Sequence, residues 1–351
     1  SFRSLAPLRR QRLLLWAKPR TALASLAVIT RKPIPHHVQR STWKDLGFDR
    51  MNDEIAAAFG AVVDREPGPH DPDWSQYIWK RRRQLLRWFF RQQLQPWRTE
   101  HQRNTAAILD EYDPVWGRGY DQYSLHPVVR RQKPWIWGSR RYWSNSFAAT
   151  RFRQVILARV MGRVQPRRVL EVGCGKGINL LLLACRFPNI EFVGLELTSA
   201  GRVAVARFQA ENQILPAPIQ AFAPLPLSDP AGFRRICFVQ GSASDLPFAD
   251  GAFDLTMTVL ALEQMERIRN RALSEIARVT ARHAFLLEPF REFNNWGWRR
   301  FNQAKRDYFA GRVKDLPGYG LTPEFAIDDY PQEVFLHTCA VLCRKRGANE
   351  A

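Results

Sequence analysis

The chain has 351 residues, with 53 Lys and Arg against 33 Asp and Glu, a net charge of +20 and 45% hydrophobic residues. That length accommodates one full α/β domain and a second module. The longest apolar stretch near the start, Ala22 to Ile29, falls far short of the roughly 20 residues a membrane span needs, and five scattered cysteines give no disulfide framework and suit a reducing compartment.

The basicity is confined to the front half. Residues 1–170 carry 32 basic and 13 acidic side chains, whereas residues 171–351 carry 21 and 20. Ten of the twelve tryptophans also lie before residue 144. Three readings stay open for this half: an Arg-rich solvated surface over a Trp-containing core, an anionic membrane interface, or a surface for nucleic-acid phosphates and bases.

In chain order, residues 1–43 hold nine basic side chains and no acid, as in a transit sequence or a basic interfacial arm. Asp53 to Val63 is Ala-rich and reads as a helix. Pro67, Pro69 and Pro72 mark a linker, and Trp74 to Gln95 reads as an imperfectly amphipathic helix ending near Pro96. That helix can dock on its own domain or lie on anionic lipid. A short helix is expected over Arg103 to Glu111, then an aromatic, Gly-broken loop from Tyr112 to Tyr123. Phe147 to Val164 reads as a helix leading into a sheet.

Residues 169–179 then read Val-Leu-Glu-Val-Gly-Cys-Gly-Lys-Gly-Ile-Asn. An apolar strand ends at Glu171, and Gly173, Gly175 and Gly177 follow as G-x-G-x-G. A dinucleotide fingerprint would be G-x-G-x-x-G, but position 178 is Ile. A carboxylate just before the loop suits a cationic ligand better than a pyrophosphate. Leu180 to Cys185 reads as the helix opened by this loop. A second strand, Glu191 to Leu195, ends at Glu196, near the offset at which a βαβ unit puts a carboxylate on ribose hydroxyls. Cys237 to Gln240 and Phe253 to Val259 are further strands. Five prolines between Leu215 and Phe233 mark a loop insertion. Ala284 to Glu288 is a fifth strand, Asn294 to Tyr308 an aromatic helix, and Glu333 to Arg344 a closing strand in an antiparallel hairpin. Cys185, Cys237, Cys339 and Cys343 fall in apparent core segments. Cys339 and Cys343 share a strand face and read as packing, so no metal site is expected.

The ordered set Leu170–Gly177, Val193–Glu196, Gly241–Phe248, Asp250–Asp254, Leu262–Gln264 and Ser274–Val279 resembles the class I S-adenosylmethionine-dependent methyltransferases, most nearly their small-molecule, quinone-ring-like branch. The resemblance covers about Arg167 to Pro289. It implies an α/β fold: a Rossmann-like seven-stranded sheet, here with a mainly helical basic extension at the N-terminus. The expected layout is an extension over 1–110, a cap and lead-in helix over 111–165, and the methyltransferase domain over 166–346 with a substrate lid at 290–332.

The resemblance also implies roles. Glu171, Gly173, Cys174, Gly175, Gly177 and Asn179 would hold the amino-acid end of S-adenosylmethionine, Glu196 and Leu197 the ribose, Ser242 and Ala243 the adenine edge. Leu260 would sit close to the cofactor. Tyr120 and Tyr123 would reach the sulfonium, and Glu263 would be the best-placed base, with His126 and His283 weaker candidates. Two departures stand out. Ser242 occupies a place where relatives often carry Asp, and Gln264 one where they often carry His. The expected function is methyl transfer to a small or lipid-like acceptor in a cytoplasmic setting, with a peripheral contact to an anionic membrane. The alternatives are an RNA- or ribosome-docked methyltransferase and a binding module with a degenerate cofactor site.

Overall fold

The computed structural model describes residues 42–94, 105–117, 120, 132–145 and 147–346. Helix α1 (Met51–Gly60) leads to strand β1 (Val63–Arg65). Helix α2 (Pro72–Leu94) opens on a proline, whose fixed φ suits a first turn. Helix α3 (Thr105–Trp116), the hairpin β2 (Gln132–Trp137) and β3 (Arg140–Asn145), and helix α4 (Ala148–Val164) follow.

The second half alternates strand and helix, as its apolar runs predict. It comprises β4 (Arg168–Val172), α5 (Ile178–Arg186), β5 (Glu191–Glu196), α6 (Ser199–Glu211), the short α7 (Ala217–Gln220), β6 (Cys237–Gln240) and β7 (Phe253–Val259). Then come α8 (Arg269–Val279), β8 (Thr280–Glu288), α9 (Arg291–Asn294), α10 (Gly297–Arg306), β9 (Leu321–Ile327), β10 (Gln332–Glu333) and β11 (Cys339–Lys345).

The expected seven-stranded sheet is present, in the order β6-β5-β4-β7-β8-β11-β9. The first five strands are parallel, and β11 runs antiparallel to both β8 and β9. The alternation of side chains divides the core in two. Val169, Phe285, Leu287, Ala340 and Leu342 point to one face, whereas Leu170, Leu286, Val341, Cys339 and Cys343 point to the other. Both cysteines of β11 are therefore packing residues on one face. Cys237 is a correction: it is exposed, because β6 is an edge strand.

Helix α4 is buried along most of its length, from Ala148 to Val164, because elements pack on both of its sides. Phe152, Ile156 and Val160 belong to the same buried cluster as Phe59 of α1 and Trp135 of β2. Those front elements build a second, antiparallel sheet in the order β1-β3-β2-β10. Its last strand comes from the far end of the chain, with Glu333 opposite Trp135. Asp329 joins the same ends, accepting from Trp43 Nε1 through its carbonyl at 3.0 Å and from Trp137 Nε1 through its side chain at 2.8 Å.

Three expectations change. The closing strand is two strands, β10 in the small sheet and β11 in the large one. The span expected as a lid also contains β9, an edge strand of the main sheet. The proline-rich insertion is a packed segment: Leu215, Ile219, Phe222 and Phe233 are all buried.

Candidate functional site

The strand order reverses between β4 and β7, and the loops leaving these strands frame the crevice where open α/β sheets bind ligands. A cavity of about 240 Å³ opens there. The first loop, Gly173 to Gly177, turns through three left-handed glycines. At Gly173 (φ +74°) a Cβ would lie 2.6 Å from the Cβ of Ala261, and at Gly175 (φ +56°) one would lie 3.1 Å from the Trp116 ring. Both positions therefore need glycine for conformation and for space.

Two carboxylates flank this loop. Glu196, at the end of β5, accepts from the Gly175 amide at 2.8 Å through Oε2. Its Oε1 accepts from the amide and hydroxyl of Thr198, at 3.0 and 2.8 Å. A carboxylate oxygen can accept from two donors, so Oε2 has room for one more, and Glu196 lines the cavity. Glu171, at the end of β4, is buried; its Oε1 accepts from Asn179 Nδ2 at 2.8 Å and its Oε2 has no hydrogen-bond partner. Burial pushes its pKa up to about 8, with Asn179 pulling down and the Glu196 charge pushing up. An uncharged, half-satisfied carboxyl in this position invites a cation.

Of the eleven cofactor residues expected from sequence, Gly173, Gly175, Glu196, Leu197, Ser242, Ala243 and Leu260 line the cavity. Glu171, Cys174, Gly177 and Asn179 do not line it. Ser242 shares a hydrogen bond of 2.9 Å with Ser244. Leu260 has φ +55°, which is rare for a residue with a Cβ, and its amide donates to the Leu287 carbonyl at 3.0 Å. Strain of this kind gathers at functional sites.

One wall was missed. Ile108, Tyr112 and Trp116, spaced four apart on α3, line the cavity opposite the glycine loop. The Tyr112 and Trp116 rings lie 5.6 Å apart, and Asp113 accepts from the Ala200 amide at the start of α6 at 3.3 Å. Tyr120 is not part of this wall. Tyr120 donates to the Lys176 carbonyl and stacks on Phe208 at 4.1 Å, so it braces the loop from outside. Tyr123 and His126 lie outside the described residues. Lys176 is itself buried, its ammonium 5.6 Å from the Trp116 ring and 5.7 Å from the Tyr120 ring.

The remaining wall follows β7. Gln264 and Met265 line the cavity, and Gln264 Nε2 donates to Glu263 Oε1 at 2.9 Å. Glu263 is buried and its Oε2 has no partner. Burial raises its pKa to about 7, while Gln264, Arg306 and Arg153 pull it down and Glu333 pushes it up. Behind it, Glu288 accepts from the amides of Ala261, Leu262 and Glu263 at 3.0, 3.1 and 3.3 Å, which fixes the loop after β7. Burial and the neighbouring Glu263 raise the Glu288 pKa to about 8. Tyr308 completes the cluster; Arg306 donates to its hydroxyl at 2.7 Å, and burial raises its pKa to about 12. His283 is remote from the cavity wall: it lies on β8, 3.7 Å from Glu324, with its pKa lowered by burial.

Residues 170–287 match a family described as a methyltransferase domain. A stretch of 123 residues is 28% identical to ajmaline N-methyltransferase of Rauvolfia serpentina, covering 35% of each chain. A stretch of 116 residues is 34% identical to fatty-acid O-methyltransferase of Mycolicibacterium smegmatis, covering 33% of this chain and 34% of that protein. The chain thus spans about a third of the length of these curated relatives. Among solved structures, magnesium protoporphyrin IX methyltransferase from Synechocystis PCC 6803 superposes with a TM-score of 0.45 at 12% identity, over 69% of this chain and 99% of that one.

Proposed function

We propose that this chain, whose residues 170–287 are a class I S-adenosylmethionine-dependent methyltransferase domain, transfers a methyl group to a small or lipid-like acceptor. The observation that carries the reading is the unpartnered, buried Glu171 Oε2 beside a loop whose three glycines leave no room for a Cβ. A carboxyl held near pKa 8 by burial gains most from a cationic amino group. S-adenosylmethionine, when bound, supplies an electrophilic methyl on a positive sulfur. Glu171 would hold its amino group, Glu196 a ribose hydroxyl through Oε2, and Ser242 with Ala243 the adenine edge. The aromatic wall from Tyr112 and Trp116 would exclude water, which favours a positioned reaction.

Glu263 is the residue to take a proton from an acceptor O–H or N–H. Its pKa of about 7 matches the operating range of a general base, and Gln264 links it to the cavity wall. The names of the two relatives, one an N- and one an O-methyltransferase, favour a small acceptor. Two intact carboxylates at Glu171 and Glu196 weigh against a binding module that has lost its cofactor.

Calorimetric titration with S-adenosylmethionine tests the reading. The native chain should bind, and Gly175→Arg should abolish binding because its side chain meets Trp116 from a left-handed backbone. No heat with the native chain, or unchanged affinity in the variant, would overturn it.

A further inference from the structure

Helix α2 carries six basic side chains and one acidic one, Asp73. At about 100° per residue, Trp79, Lys80, Arg83, Arg87, Phe90 and Leu94 fall within roughly 100° of its circumference. All six are exposed. Trp79 and Phe90 are each 57% exposed and Leu94 is 75% exposed. The opposite side of the helix is docked: Trp74 and Leu85 are buried, Phe89 meets Phe301 of α10 with ring centroids 5.3 Å apart, and Arg81 donates to Asn302 at 2.6 Å. The exposed side is therefore a fixed surface, held at its back by α10.

This surface combines two features that normally separate. A solvated helix face would be charged without large apolar residues, and an apolar face would be buried. Here Lys80, Arg83 and Arg87 form no ion pair with a carboxylate among the described residues. They line a groove of about 490 Å³ with Trp79, Trp88 and Lys305, and no acidic side chain lines it. The Arg83 guanidinium lies 5.1 Å from the Trp79 ring, which keeps its charge at the rim. Trp296, just before α10, adds a further exposed indole at 53%. No helix among the described residues is long and apolar enough to cross a bilayer, so contact would be from the surface only.

We propose that the exposed face of α2 docks on an anionic phospholipid membrane, with Lys80, Arg83 and Arg87 at the headgroup phosphates and Trp79, Phe90 and Leu94 in the interfacial layer. Interfacial helices bind through exactly this pairing of basic and large apolar groups on one accessible side. Nucleic acid would use the cations and could stack on Trp79, but it offers nothing to the aliphatic Leu94. The lipid reading therefore accounts for all six residues.

The test is sedimentation of the full chain with sucrose-loaded vesicles, either pure phosphatidylcholine or phosphatidylcholine with about 30% phosphatidylglycerol as an anionic surface. Binding should appear with the anionic vesicles and weaken with salt. Each basic side chain near such a surface is worth roughly fivefold in partitioning, so K80Q/R83Q/R87Q should lose roughly a hundredfold. F90S/L94S, which changes no charge, should also bind several-fold more weakly. Both variants are on the exposed face, and unchanged thermal unfolding would confirm that they fold. Three outcomes overturn the proposal: no binding to anionic vesicles, binding unchanged in either variant, or tight polyuridylate binding that the glutamine variant alone removes without any vesicle binding.

Discussion

Glu171 and Glu263 have the same environment, and the proposed function gives them opposite uses. Each is buried, each has one oxygen tied to a side-chain amide, and each has a second oxygen without a partner. Glu171 stands at the base of the glycine loop, outside the cavity lining, where a fixed positive charge on a ligand would ionise it. Glu263 stands behind Gln264, where it would exchange a proton with the acceptor. The first use has a clear pH signature. The free chain holds Glu171 protonated below about pH 8, and an ammonium ligand selects the ionised form. Binding must therefore release a proton, and affinity should rise with pH from about 6 to about 8, by up to tenfold per unit. Calorimetry in buffers of different ionisation enthalpy reads the proton directly. Glu171→Gln should bind more weakly and with no proton release; an unchanged proton count in that variant would remove Glu171 from the site.

At the scale of elements, α3 decides whether the cavity is closed. It meets the glycine loop through Trp116, whose ring lies against the Gly175 position and 5.6 Å from the Lys176 ammonium. Trp116→Ala should weaken cofactor binding at least tenfold, since covering a half-buried aromatic ring with ligand is worth about 1.5–3 kcal/mol, and should leave thermal unfolding of the free chain nearly unchanged. Equal loss of both would mean that the ring is a fold residue alone. The sequence concealed this wall for a local reason. Pro114 lies inside α3, and a proline without an N–H reads as the end of a helix; the stretch from Tyr112 was accordingly expected as a loop, with the later tyrosines over the cofactor. By contrast the α/β repeat was legible almost to the residue. Strands Cys237–Gln240 and Phe253–Val259 stand where their apolar runs put them, because the parallel strands and the glycine loop carry their pattern locally. The small sheet carries none. Strand β1 has three residues and β10 has two, and their partners are distant in sequence, Val63 opposite Ser144 and Gln332 opposite Ile136, which periodicity cannot register.

For the molecule as a whole, the three buried carboxyls under the cavity set the response to pH. Glu171, Glu263 and Glu288 have folded pKa values of about 8, 7 and 8, against an ordinary value of 4.5. A carboxyl with a raised pKa holds its proton more tightly when folded. Its contribution to stability is complete below about pH 4.5 and is lost as pH rises through its folded pKa. Carboxylates held low by partners, Asp71 by Arg65, Asp229 by Arg235 and Glu275 by Arg278, act in the other direction. They lie near the surface, where screening keeps such pairs weak, and they are already ionised above about pH 5. His283, whose pKa burial lowers, opposes them only below about pH 6.5, so between about pH 6.5 and pH 8 the buried carboxyls dominate, each at up to about 1.4 kcal/mol per pH unit. The melting temperature of the ligand-free chain should fall across that interval in scanning calorimetry. S-adenosylmethionine relieves the part that belongs to Glu171, so the rise in melting temperature it produces should be larger at pH 8 than at pH 6. A ligand-free melting temperature that climbs steadily over the same interval would mean that these carboxyls are ionised in the folded chain, and the cation-seeking character of the cavity would have to come from elsewhere.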